Sequence, residues 1–260
     1  MSLSKSPDHR TWKVVLLLTF LAVVLVNYLP FIFLEWENRF EDDPDTLVDA
    51  TGEAFAIWGI IFLGMIAFSL FQFKESRHSP ALRQAYVFLF VAGLASIAFV
   101  PVSFTNIQLL TAINLLWHLV ALIAANRALR AHRAQGAIRT GWIYAAPSIY
   151  LGWVSAATVI AMALGLQELG VSLPTETGTA LAAILLLVLS GIGIWLTLKD
   201  DGVYGLTVAW ALAAIGVEQA GYPMVRYTAW GGAILVALLA LSRLVRSETI
   251  FFYGSARNDR

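Results

Sequence analysis

Asn114 and His118 stand four residues apart in an otherwise apolar run, with Trp117 between them. On a helix that spacing puts both polar groups on one face. Polar groups at membrane depth are costly and point into a bundle or a cavity. A neutral imidazole there can hydrogen-bond a ligand, ligate a haem iron or bond a neighbouring helix. The last is the favoured reading, since His9, His78 and His132 lie in cytoplasmic segments and offer no second axial ligand. The nine tryptophans divide into two groups. Trp12, Trp36, Trp142, Trp195 and Trp230 fall near the ends of apolar runs, where the amphipathic ring prefers the interface. Trp117, Trp153 and Trp210 fall about half-way along theirs, and Trp58 a few residues into its own. A buried indole needs a partner for its N–H. Several such rings converging would make an aromatic cavity able to stack a flat ligand. Glu218 and Gln219 sit near the outer end of another run, where interfacial exposure is expected.

Several chemistries are excluded. There is no cysteine, hence no disulfide, thiolate metal site or thiol nucleophile. No lysine lies mid-run, so a retinal Schiff base cannot form. No HExxH, no paired acids and no phosphate-cradling glycine loop occur in the apolar segments. Ion-coupled transporters usually carry Asp, Glu or Arg at depth, and here the apolar runs are nearly free of charge. The basic stretch 127–141, "RALRAHRAQGAIRTG", lacks interleaved aromatics, so it reads as a lipid-facing loop and not a nucleic-acid site.

The elements that must position these residues are membrane helices. Of the 260 residues 59% are apolar and 13% charged, far from the ~45–50% and ~25% of soluble domains. Runs long enough to cross a bilayer lie at about 12–34, 55–73, 84–103, 107–126, 142–166, 178–198, 203–220 and 227–245. The first is too long for a signal peptide and is expected to be retained. The net charge is zero, yet of 17 Lys and Arg residues only Arg39 and Arg226 fall on one side when the loops are alternated. That bias predicts both termini in the cytoplasm and an even number of spans. It puts the acidic loop 36–54 outside, as a solvated connection or a lid over the bundle. Trp58 is then expected just beneath the outer surface, with Gly59 admitting a neighbouring helix. The tight hairpins "SFTN" at 103–106 and "KDDG" at 199–202 make their flanking helices antiparallel neighbours. The boundary between Pro101 and Asn106 and the seventh run are the least sharply marked.

"FAIWGIIFLGMIAFSLFQ", followed at a distance by "PSIYLGWVSAATVIA", resembles the TspO/MBR family of tryptophan-rich sensory, translocator-like proteins. Trp58 and Phe62 match that family's second-helix W-x-x-[LI]-[YF] core. Pro147, Tyr150, Trp153, Val154 and Ala157 match its fifth-helix signature. The resemblance covers about 12–166 and is to the longer bacterial form. It implies a TspO-like five-helix region, 1–166, with a pocket for porphyrins, sterols or synthetic aromatics, capped by the loop between the first two helices. Three additional helices and a short tail would occupy 167–260.

The expectation is therefore an all-α, polytopic bundle of eight transmembrane helices in the inner membrane. It would bind a hydrophobic, planar small molecule as a sensor, carrier or regulator. Trp58, Phe62, Pro147, Tyr150 and Trp153 would form the site, with Asn114 and His118 as polar contributors. Trp210 would join only if the seventh helix packs against the first five. A porphyrin is a candidate ligand and no metal site is assigned. The alternatives are a transporter of an apolar solute, with the extra helices as a second half, or a membrane enzyme acting on a lipid or tetrapyrrole. The partners expected are the bilayer and the ligand, with a homodimer left open.

Overall fold

A computed structural model describes residues 9–33, 46–74, 79–134 and 144–255. Trp36, Trp142, His78, Arg39, most of the acidic loop and the end of the basic loop lie outside the described residues. Within them the chain forms eight α-helices and no strand. These are α1 (His9–Phe33), α2 (Ile57–Phe71), α3 (Pro80–Ser103), α4 (Gln108–Ala134), α5 (Ala145–Glu168), α6 (Thr175–Leu198), α7 (Gly202–Glu218) and α8 (Pro223–Ser255). Seven helical stretches are long and apolar enough to cross a membrane. The exception is α7 with 17 residues, about 26 Å against a hydrocarbon core of roughly 30 Å.

Local chemistry sets the helix ends. Ser79 caps α3, its hydroxyl accepting from the Leu82 N–H, with Pro80 in the first turn. The same hydroxyl lies 2.8 Å from Nδ1 of His132, tying the start of α3 to the end of α4. Pro101 does not end α3, which continues to Ser103. The turn into α4 is made by Asn106 at φ 54°, a left-handed conformation that Asn tolerates better than most residues. Asp200 plays that part before α7 at φ 65°. Asp201 then caps α7, accepting from the Tyr204 N–H at 3.1 Å.

The helices pack mainly as antiparallel neighbours, α3 on α4, α4 on α5, and α7 on α8. The link between the first five helices and the last three runs through α5 and α7. Gly152 permits it: a Cβ there would stand 2.8 Å from Thr207 Cβ and 3.2 Å from the Tyr204 carbonyl oxygen. Phe20, Tyr86, Tyr150, Trp153 and Tyr204 are fully buried where the helices meet, while Leu18, Leu63, Ile184 and Leu235 face outward. An apolar exterior of this kind is stable only against lipid. Although consecutive, α5 and α6 barely touch. Both lean on α7, and a cleft opens between them.

Residues 46–56, the described part of the connection before α2, do not stay at the surface. Gln219, at the outer end of α7, donates from Nε2 to the carbonyls of Thr46 at 3.0 Å and Asp49 at 3.3 Å. Further down α7, Trp210 donates from Nε1 to the Ala54 carbonyl at 3.3 Å. Residues 46–54 therefore descend along α7 from its end to its middle, a drop of about 13 Å over nine helical residues. A 3₁₀ turn at Gly52–Ala56 leads into α2. The expected exposure of Gln219 is thus overturned. It is 6% exposed, because its amide donates to the Thr46 and Asp49 carbonyls of the descending, non-helical segment, where Thr46 O also accepts from the Asp49 N–H at 3.3 Å. Glu218 beside it is exposed as expected.

Candidate functional site

The descent of 46–56 lowers the start of α2 into the bundle. Trp58 lies 6.3 Å from Trp153 and 6.0 Å from Tyr150, ring centre to ring centre, both nearly perpendicular. Trp153 is only eight residues from the inner end of α5, about 12 Å. Trp58 is therefore deep and not just beneath the outer surface, because the chain covers the outer part of that path without a helix. Phe62, one turn on, stacks on Trp58 at 5.4 Å and meets Tyr28 of α1 edge-on at 6.2 Å. Phe55 meets Trp153 edge-on at 5.3 Å. Phe20 of α1 closes on Tyr150 at 6.4 Å. Edge-to-face and offset-stacked pairs at these separations are the favoured aromatic geometries.

The polar pair on α4 faces this cluster. Nε2 of His118 lies 2.5 Å from the Tyr150 hydroxyl, with the two rings perpendicular at 4.9 Å. This is the interhelical bond favoured for His118 on sequence grounds. Asn114, one turn away, donates from Nδ2 to the Ala95 carbonyl of α3 at 3.2 Å. Three buried polar atoms around the cluster have no partner among the described residues: Asn114 Oδ1, His118 Nδ1 and Trp153 Nε1. Buried polar groups are nearly always paired, so such orphans call for an explanation. No group of three or more His, Asp or Glu side chains suited to a metal occurs among the described residues.

The structure thus brings together Trp58, Phe62, His118, Tyr150 and Trp153, with Asn114 one turn off. Pro147 is buried in the first turn of α5, one turn below Tyr150. Trp210 satisfies its condition, since α7 packs on α5, but its indole is spent on the Ala54 carbonyl and is 50% exposed. Trp117 is 43% exposed and faces outward. Gly59 does not admit a neighbouring helix: a Cβ there would meet only the Tyr28 hydroxyl, at 3.5 Å.

A family model described as TSPO-like protein matches residues 13–242. The chain belongs to the TSPO-like family. The match begins in α1 and ends in α8, so it takes in all eight helices of this TSPO-like bundle. No curated protein and no solved structure matches the chain.

Two features of the TSPO-like bundle escaped sequence reasoning. One is a polar knot at the inner end. Asp201 accepts from Arg130 Nη2 at 2.9 Å, Ser148 Oγ at 3.0 Å and Asn126 Nδ2 at 3.4 Å. Arg130 also donates to Asn126 Oδ1 at 2.8 Å and to the Lys199 carbonyl at 2.7 Å. The i, i+4 spacing of Asn126 and Arg130 was a visible signal, but it straddles the end of the apolar run 107–126 and the start of the basic stretch 127–141. The other is the cleft between α5 and α6. It encloses about 1580 Å³, and its walls include none of the eight residues singled out on sequence grounds. The aromatic residues pack against one another while the open volume lies on the other side of α5.

Proposed function

We propose that this multi-pass membrane protein binds a hydrophobic, planar small molecule of tetrapyrrole or sterol type at the aromatic cluster, and serves as a sensor, carrier or regulator. The observation that carries the reading is the set of unpaired buried atoms, Asn114 Oδ1, His118 Nδ1 and Trp153 Nε1, beside six aromatic rings from α1, α2 and α5 and Phe55 of the 3₁₀ turn. A flat apolar ligand with polar edge groups would satisfy both chemistries, with rings against its faces and the indole N–H donating to an acceptor on its rim. In this reading residues 1–166 hold the ligand. Residues 167–260 act as a clasp, with Gln219 and Trp210 holding the 46–56 segment over it. In this reading the protein resides in the cytoplasmic (inner) membrane, where the excess of basic residues on one side sets its orientation.

Protoporphyrin titrated into the purified protein, read by quenching of tryptophan emission, tests the proposal. Trp153→Phe keeps the ring and removes the N–H, and should weaken binding about tenfold. Trp58→Phe should reduce the quenching itself. If both variants bind and quench as the parent does, the site lies elsewhere.

A further inference from the structure

The cleft between α5 and α6 is a feature that the aromatic cluster does not use. Its volume of about 1580 Å³ exceeds the roughly 300–1,000 Å³ of ordinary small-molecule pockets. Its wall on α5 runs from Leu151 to Gln167, about 24 Å along the helix. That is most of the ~30 Å hydrocarbon core. Between those ends the lining is mainly aliphatic, with Val159 and Met162 on α5 and Leu185 and Val188 on α6; the Ser155 and Thr158 hydroxyls donate to carbonyls of their own helix, and the Tyr204 hydroxyl to Ser155 Oγ. At the outer end it is closed by the described end of the α1–α2 connection, where Leu47 packs on Gly178 at the start of α6. The groups at that end, such as Thr46, Gln167 and Ser172, are polar but uncharged.

The inner end is different. Arg127, Arg130 and Lys199 all line it. Arg130 is committed to Asp201. The neighbouring Asp200 faces Arg243 at 3.7 Å. Arg127 and Lys199 are exposed, and neither has an ion pair among the described residues. Arg127 lies one turn from Arg130 on the same face of α4, and Arg130 is bonded to the Lys199 backbone. Two uncompensated cations therefore flank the inner mouth of an aliphatic cleft.

We propose that this cleft holds an anionic diacyl phospholipid of the inner leaflet. Its phosphate sits against Arg127 and Lys199, and its acyl chains lie between α5 and α6. Hydrocarbon fills an aliphatic cleft of this length without leaving polar groups unpaired. Basic pockets between helices on the cytoplasmic side attract anionic headgroups. A choline headgroup would bring its own cation against the two already there. The uncharged outer end gives an anionic headgroup no reason to bind in the other orientation.

Native mass spectrometry of the full-length protein in detergent tests this, with phosphatidylglycerol and phosphatidylcholine of identical chains in competition. Phosphatidylglycerol should be retained preferentially. R127Q/K199Q should cut that retention about tenfold or more, and its melting temperature checks that it folds. Ala163→Phe, which puts a ring into the cleft, should displace both lipids. Glycerol 3-phosphate, the headgroup chemistry without chains, should not bind. Equal retention of the two lipids, or an undiminished preference in R127Q/K199Q, would overturn the proposal. So would binding of glycerol phosphate alone, or cross-links showing the cleft filled by a second copy of the chain.

Discussion

Asp201 is the residue whose loss should be felt most widely. One carboxylate oxygen, Oδ1, caps α7 through the Tyr204 N–H, and the other, Oδ2, receives Arg130, Ser148 and Asn126 from α4 and α5. Asp201→Ala removes the cap, worth about 1 kcal/mol. It strips Ser148 of its acceptor, worth about another 1 kcal/mol. Arg130 loses a charge-assisted bond, and with its side chain 29% exposed water recovers part of that, leaving about 1 kcal/mol. The expected cost is about 3 kcal/mol. Asp201→Asn should fall between parent and alanine, because Oδ1 keeps the cap while the new amide faces donors where Oδ2 was. Unfolding in mixed detergent micelles, followed by tryptophan emission, gives the free energies. Arg130→Met combined with Asp201→Ala should cost less than the two single changes added. A loss under about 1 kcal/mol for alanine, or strict additivity of the pair, would refute the idea that this knot holds α4, α5 and α7 together.

Tyr150→Phe should cost about 1–3 kcal/mol, because it leaves the His118 imidazole buried with no partner on either nitrogen; the same unfolding measurement reads it. Gly59→Ala and Gly152→Ala should differ in sign. The first meets only ordinary contact at 3.5 Å and gains up to about 1 kcal/mol of helix propensity. The second drives a methyl to 2.8 Å from Thr207 and should cost about 1–3 kcal/mol. Gln219→Leu removes the donor that holds Thr46 and Asp49. It should make the 46–54 segment more susceptible to limited proteolysis from outside, while Glu218→Gln, an exposed neighbour, should not.

Some of this protein was fixed by composition and order alone. Long uncharged runs, with lysine and arginine on alternate loops, leave a helical bundle as the solution, since only helices or closed barrels satisfy the backbone in lipid. The hairpins at 103–106 and 199–202 followed from their short polar sequences, and the pairing of α3 with α4 followed from its hairpin. The bond between His118 and a neighbouring helix was legible because one buried imidazole must find one partner. What the sequence could not supply was depth and facing. An apolar run around Trp58 looks the same whether its helix begins at the surface or well below it. Only the packing of Gln219 and Trp210 against the 46–54 backbone decided that the chain dips in and delivers Trp58 to Trp153. Likewise every face of a membrane helix is apolar, so periodicity cannot tell Trp153, fully buried, from Trp117, turned outward. The cleft between α5 and α6 exists because both helices lean on α7 and not on each other, and that is a property of three helices at once.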